Sequence, residues 1–539
     1  MEKRTILAVA LSLAVLLGWQ FIFPPAKKTP PAPVEVVAEQ AKPDVADDLT
    51  KVLPAGSSAS PLAAGAGSVP ASSGREVTIE TPAYQCVIDT AGGVVKKFTL
   101  QHYQESVSPT SARLEMATVV DPAYYPLAGT LSLGDQQFSD RRFVYQPAAG
   151  VSGQLEVIDR QQELVLTHPL PNGQQVVKKY VFYPGEYYFD LFYELRASDG
   201  SPAALATTSL AWSHELFESA AKEKTYVYSG PLAYVNGKLF KQSKKQKNIK
   251  KMELDGTVSW IGYTTKYFMA AIMPLHPESS GRSVGAIEKP SMHIVETGLQ
   301  LDGAGQFRVF VGPKETSYLK TLGQNLEKSV DFGWFGVIAR PLVQLLNLFY
   351  RYVHNYGVAI ILVTILIKLV FYPLSQKSYQ SMGKMKEVQP KLAKLKEKFK
   401  DDKARQQKEM MDLYRTHKVN PFGGCLPMVA QIPVFFGLYR GLMVAIELRH
   451  APFFWWIQDL AAKDPYYVTP ILMGATMLLQ QKMTPSTGDQ MQAKMMMFMP
   501  IIFTFMFLSF PAGLVLYWLV NNLLSIGQQY MVMKKATVK

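Results

Sequence analysis

The sequence predicts a mixed, two-part architecture. One part is a polytopic α-helical membrane bundle, a five-helix core plus an N-terminal signal-anchor helix. The other is a large periplasmic antiparallel β-sandwich. Three observations carry this expectation. Of 539 residues, 48% are hydrophobic and 18% charged, below the roughly 25% charged usual in soluble domains. The apolar residues are segregated: 24–330 is polar and mixed, whereas 331–539 is mostly apolar with one basic insert. The polar half shows strand-like alternation with a period of two. Together these exclude a single soluble globule, a disordered chain and a disulfide scaffold. Cys86 lies in the polar half and Cys425 in an apolar run, so neither a disulfide nor metal-ligand spacing is expected.

Residues 6–23 form an uncharged run preceded by Lys3 and Arg4. No small-residue cleavage site follows it, so 1–23 reads as an uncleaved signal anchor, with a cleaved signal peptide as the alternative. Residues 24–74 are rich in Pro, Ala, Val and Ser and read as a linker. Further spans are expected at about 356–374, 422–446, 466–481, 495–510 and 514–533, the last two separated by Pro511-Ala512-Gly513. Runs of 16 residues make only about 24 Å of helix. They either thin the bilayer locally or continue into their flanks. An even number of spans puts both termini on one side. The basic insert 375–420 shares that side and holds 13 Lys/Arg against 6 Asp/Glu. By the positive-inside rule the termini and the insert are cytoplasmic, and residues 24–355 are periplasmic.

Residues 75–330 read as the β-sandwich. Tyr187, Phe189, Leu191, Tyr193 and Leu195 alternate along one strand, and Asn172-Gly173 marks a hairpin. The lysines of 238–251 suit a solvated loop. The histidines there have no metal-ligand spacing and no nucleophile motif accompanies them, so no metal, cofactor or catalytic residue is expected. Residues 331–355 place Trp334, Ile338, Leu342, Leu345, Leu346 and Phe349 at helical spacing. This suits an amphipathic helix in the outer interface, or a helix packed on the β-domain.

In the basic insert, Met382, Met385, Val388, Leu392, Leu395 and Phe399 recur at three and four residues, and Asp401-Asp402 offers a turn. A helical hairpin with one apolar seam follows. Its exposed cations include Lys384, Lys386, Lys391, Lys394, Lys398 and Arg405. They either serve topology alone or dock on an anionic partner, ribosomal RNA or anionic lipid. Aromatic residues for base stacking are nearly absent, so sequence-specific nucleic-acid reading is not expected.

Lys368 stands inside an apolar run, where a lysine costs about 2.5–3.5 kcal/mol at the bilayer centre. Either it snorkels toward the cytoplasmic headgroups, or it lines a hydrated pocket with Thr364 one turn earlier and Gln431 in the next span. The nine methionines between Met473 and Met506 either suit a promiscuous apolar surface or fill lipid-facing positions.

Four long motifs then carry a resemblance: NPFGGCLPMVAQIPVF at 420–435, DPYYVTPILMG at 464–474, KMMMFMP at 494–500 and FPAGLVLYW at 510–518. With VFVGPK at 309–314 they resemble the YidC/Oxa/Albino family of membrane insertases, in its Gram-negative form with a large periplasmic domain. The resemblance implies a periplasmic β-supersandwich, similar to sugar mutarotase folds but without known catalysis. It implies an insertase and chaperone of the bacterial inner membrane that uses no cofactor. Its partners would be nascent membrane proteins, the Sec translocon and its accessory subunits, the ribosome and anionic lipids. The resemblance further implies a cytoplasm-open hydrophilic groove whose positive residue attracts a substrate's acidic tail. The substrate helix would leave between the third and fifth spans. Lys368 stands at the family's arginine position, keeping the charge but losing the planar fork. Thr364 and Trp518 match groove positions, Trp518 where relatives often have tyrosine. Ile432, Pro433, Phe435 and Met506 match substrate-contact positions. Rival classes are a solute transporter, which usually shows internal repeats, and a membrane-anchored periplasmic enzyme, which needs a catalytic constellation. Neither feature is visible.

Overall fold

The computed structural model describes residues 74–537 apart from 135, 152, 216–226, 242–251, 277–280, 290–293, 304, 418, 420–425 and 485–489. The expected signal anchor and all but the last residue of the linker lie outside the described residues.

Strands occupy most of the chain from Glu76 to Pro313 and form two sheets. The smaller has five strands, in the order Arg113–Glu115, Val94–Gln104, Tyr84–Asp89, Glu76–Glu80, Gln154–Glu156. Its last pair is parallel and its others antiparallel. Among the described residues the larger has fifteen strands. Next to its Gln146–Pro147 edge runs a series of antiparallel neighbours, Gln162–Pro169, Gln175–Phe182, Tyr188–Arg196 and Gln306–Pro313. The Asn172-Gly173 hairpin joins the first two of these. Its turn is held by Asn172 Oδ1, which accepts from the Gln174 amide at 3.1 Å. Gly173 takes φ +80°, which glycine adopts without a Cβ penalty.

The core forms where the two sheets face each other. Tyr84 stacks on Phe98 at 4.4 Å within the small sheet. Phe98 in turn meets Phe189 of the large sheet at 6.3 Å. Phe189, Leu191, Tyr193 and Leu195 are buried, as the alternation requires. The intervening Asp190 is buried as well, because Arg308 on the neighbouring strand clamps both carboxylate oxygens at 2.7 and 3.0 Å. Deeper still, Lys178 pairs with Asp140 at 2.7 Å, both fully buried. Tyr193, the Leu127 carbonyl and the Gly129 amide complete their hydrogen bonds. A buried pair is tolerated when its remaining donors and acceptors are satisfied in this way.

The helices follow. Short α1 (Thr316–Leu322) leads to α2 (Gly336–Val353), which is wedged between the two halves of the chain. Ala339 and Val343 join Leu232, Trp260 and Phe310 of the β-domain in one buried cluster. On α6 (Leu426–Val444), glycines accept α2 closely: a Cβ at Gly437 would lie 2.7 Å from Ile338, and one at Gly441 would lie 2.8 Å from Val343. Of the expected apolar face, Trp334 precedes the helix and is 91% exposed.

The next helices are α3 (Tyr356–Val370), α4 (Tyr372–Lys398) and α5 (Lys403–Thr416). After α6 come α7 (Val468–Met483), α8 (Gln490–Phe507) and α9 (Ala512–Thr537). Asn355 caps α3 by accepting from the Val358 amide. The apolar run expected over 356–374 breaks at Phe371, and α3 and α4 meet at 66°. Pro373 explains the break: it has no amide to continue the helix and sits in the first turn of α4. Among the described residues no single helix is both long and apolar enough to cross a membrane, although the bent α3–α4 pair passes together. Length accounts for most of this: α3 has 15 residues and α7 16, and the apolar stretches of α6 and α8 are Val429–Val444 and Met497–Phe507. Helix α9 is long enough but carries Asn521, Asn522, Ser525, Gln528 and Gln529.

The outside of the helical half is nevertheless apolar. Leu369, Val370, Ile471, Ile502, Phe505 and Met531 are each more than half exposed. The described β-domain through Pro313 exposes only Val107, Val120 and Ile158 among large apolar residues. A contiguous apolar exterior of the first kind suits lipid rather than water.

Beyond the break, α4 and α5 form the hairpin. Met385, Val388, Leu392, Tyr414 and Val419 are its buried seam. Asp402 caps α5 through the Arg405 amide at 2.9 Å. Lys384, Lys386, Lys391, Lys394, Lys398 and Arg405 are all exposed, and Arg405 lies over the Phe399 ring.

Candidate functional site

The helical half brings polar side chains from three helices to one place. Lys368 sits in the last turn of α3, where the unpaired carbonyls of a helix end favour a cation. Its ammonium donates to Ser525 Oγ at 2.6 Å and to Asn521 Oδ1 at 3.5 Å, both on α9. Ser525 in turn donates to the Asn521 carbonyl at 2.7 Å. Gln431 of α6 reaches the same asparagine, its Nε2 donating to Asn521 Oδ1 at 2.7 Å and to the Tyr517 hydroxyl at 3.2 Å. Tyr517, Asn521 and Ser525 are spaced by four residues and therefore share one stripe of α9. Asn521 is the hub, since one oxygen accepts from both Lys368 and Gln431. Among the described residues no carboxylate pairs with Lys368.

Thr364 is buried one turn before Lys368, and its hydroxyl donates to the Ile360 carbonyl of its own helix at 2.6 Å. Its donor is thus used within α3. Trp518 adjoins the polar stripe but belongs to an aromatic step. Its ring meets Phe435 of α6 at 4.8 Å, and Phe507 and Phe503 of α8 at 5.3 and 6.4 Å. The indole therefore stands between α6 and α8. Phe435 and Met506 are half-buried against the helical core beside it. Ile432 and Pro433, three and two residues before Phe435, are exposed on α6.

Sequence reasoning does not mark Asn521, Ser525 or Tyr517 as site residues. Their signal was present as three polar residues at four-residue spacing inside an otherwise apolar run. What sequence cannot supply is the register between α3, α6 and α9. Among the described residues no group of three or more His, Cys, Asp or Glu is placed to hold a metal ion.

The helical half thus gathers a lysine and neutral polar side chains from three helices behind an apolar exterior and joins a large β-domain, the build of a membrane protein with a second, water-facing domain. Two family models divide the chain. The one described as the YidC periplasmic domain matches residues 76–345, and the one described as a 60Kd inner membrane protein matches residues 348–539. The Membrane protein insertase YidC of Syntrophus aciditrophicus is 44% identical, covering 99% of this chain and 100% of its own length. That of Geobacter metallireducens is 41% identical, covering 98% of both. Among solved structures, the "Active YidC insertase crystal structure with the first transmembrane domain resolved" covers 86% of this chain and 94% of its own, at 18% identity and a TM-score of 0.40. The chain belongs to the YidC family of membrane protein insertases. It is an inner-membrane protein with a periplasmic domain, and an insertase rather than an enzyme.

Proposed function

We propose that this chain inserts integral inner-membrane proteins and helps them fold, alone or with the Sec translocon. The observation that carries the reading is the Lys368 ammonium, drawn toward α9 by neutral acceptors and left without a carboxylate partner among the described residues. Such a charge attracts an acidic tail more strongly in a low-dielectric groove than it would in water. A lysine offers one compact cation with three donors, of which Ser525 and Asn521 take two. A substrate carboxylate would therefore meet it through a single oxygen, without the two-point fork of an arginine.

The substrate's apolar span then transfers into lipid, which supplies the main driving free energy. The exit lies between the third and fifth spans, which correspond to α6 and α8. Ile432, Pro433 and Phe435 border it on one side and Met506 on the other. Trp518 supports the slot as an apolar floor. The termini and the α4–α5 hairpin are cytoplasmic. The exposed lysines and Arg405 of that hairpin meet the ribosome or anionic lipid by charge alone.

Photocrosslinkers placed in turn at Phe435, Met506 and Ile471 test the exit, using ribosome-stalled nascent chains that carry one apolar span. Strong crosslinks at Phe435 and Met506, with background at the lipid-facing Ile471, are expected. Equal yields at all three positions would contradict an exit at α6 and α8.

A further inference from the structure

The segment between α6 and α7 is tightly built and takes no part in the groove. Asp464 is buried and accepts from Trp456 Nε1, the Tyr466 amide, and the Thr469 amide and hydroxyl, at 2.7–3.1 Å. Asp459 accepts from the His450 and Ala461 amides. The Ala512 and Gly513 amides bond to the Ala462 and Leu460 carbonyls and fasten the segment to the start of α9. Phe453 packs against Gly357 of α3, where no Cβ could fit.

A segment this well fixed could turn its aromatic residues inward, yet it presents three of them outward. Trp455 is 83% exposed, Tyr466 69% and Phe454 53%. Trp455 does so at φ +53°, a left-handed conformation that costs a bulky residue of order 1 kcal/mol or more. Asp459 and Asp464 are spent on hydrogen bonds within the segment and Glu447 accepts from Asn347 of α2, so the outward face carries aromatic rings and the exposed Lys463, whose ammonium lies 5.9 Å from the Tyr467 ring centre. The helix that follows, α7, exposes the apolar Ile471 and Leu472. Rings with a polar handle beside a cation, at the edge of an apolar exterior, match the chemistry of a headgroup layer.

We propose that Phe454, Trp455 and Tyr466 form an aromatic foot seated among the headgroups of the outer leaflet. Its assignment to the outer leaflet rests on the topology proposed above; its seating among headgroups does not. The foot also sets the height of the β-domain, because the same segment grips that domain at its other end. Ile446 is buried in the β-domain core, and the Arg449 guanidinium donates to the Gln104 and Glu105 carbonyls and lies over Phe268.

The test uses the full chain with Cys86 and Cys425 replaced by serine, reconstituted in vesicles of pure phospholipid. An environment-sensitive fluorophore is attached at Trp455→Cys, at Tyr466→Cys, or at Ser198→Cys as a control. Ser198 lies in the turn beyond Arg196, at the end of its strand away from Tyr188, which packs against the α2 cluster. Nitroxide-bearing lipids then quench the fluorophore from the headgroup or from deep in the acyl chain. The foot predicts quenching from the headgroup at 455 and 466 that is at least threefold stronger than at 198, and stronger than quenching from the deep nitroxide. Quenching at 455 and 466 no greater than at 198 overturns it, as does quenching strongest from the deep nitroxide. Intact protease fragments shared with the parent protein verify that each variant is folded. A membrane-impermeant reductant reports the side separately. Bleaching at 455 on the side opposite to 198 would break the grip of Ile446 and Arg449 on the β-domain and overturn the foot together with the proposed topology.

Discussion

Lys368 is held by two neutral acceptors on α9, and this sets what a substitution there does. Lys368→Arg keeps the cation and should preserve insertion of a substrate with an acidic tail. Lys368→Glu reverses the charge beside Asn521 and Ser525 and should lower that insertion tenfold or more, scored by protease protection of the substrate. Equal insertion by all three proteins would show that the charge plays no part. The periplasmic domain buries Lys314 as well as the paired Lys178. Lys314 is 5% exposed and donates to the Thr265 carbonyl at 2.6 Å. Burial pushes its pKa down to about 7; the Asp331 charge partly offsets this and the Lys241 charge adds to it. The unfolded chain holds this proton up to about pH 10.4, so between these values the unfolded state binds more protons than the native one. Stability from this group therefore rises with pH above 7 and is lost on acidification through 7, by up to about 1.4 kcal/mol per unit. Thermal unfolding of the wild-type protein between pH 7 and 9 should rise relative to Lys314→Met; parallel profiles would contradict the assignment. Lys368 was legible as a charge in an apolar run. Asn521 and Ser525 were hidden because neutral polar residues barely disturb such a run, and their meaning depends on which helix faces them.

At the scale of elements, α2 is the coupling between the two halves, with Ala339 and Val343 in a cluster shared by β-domain residues and α6. Periodicity showed an amphipathic helix but could not choose between an interfacial and a packed position. The choice depends on Gly437 and Gly441, which lie about a hundred residues away in sequence and open α6 to close approach. Gly437→Leu should force α2 off α6 and destabilise the junction by about 1–3 kcal/mol, as overpacking does. It would be detected as faster proteolysis between the β-domain and α3 in the detergent-purified protein. Unchanged proteolysis would mean that this contact does not hold the halves together. The break at Phe371 teaches a similar lesson. Apolar composition runs straight through it, and only Pro373 marks where the direction changes by 66°. The hairpin was easier to read, because its seam and the Asp402 cap are local signals.

At the scale of the molecule, two solvents explain two surfaces. The β-domain hides its aromatic residues between sheets, as in the Tyr84–Phe98–Phe189 stack, whereas the helical half displays Phe505 and Ile502 and keeps Gln431, Asn521 and Ser525 inside. This inversion was legible as the segregation of apolar residues along the chain. The pairing of strands distant in sequence was not, nor was the Lys178–Asp140 pair, because nothing local to either residue points to its partner. The inverted half is the basis of the proposed mechanism, in which the Lys368 charge behind an apolar exterior would let a substrate leave water and enter lipid without covalent chemistry. The most direct measurement is insertion of a small single-span substrate with an acidic tail into liposomes that contain only the purified protein, followed by protease digestion. The account predicts a protected substrate fragment that depends on the protein and is lost with Lys368→Glu. No protection above protein-free liposomes, with the protein folded and correctly oriented, would contradict insertion by this chain alone.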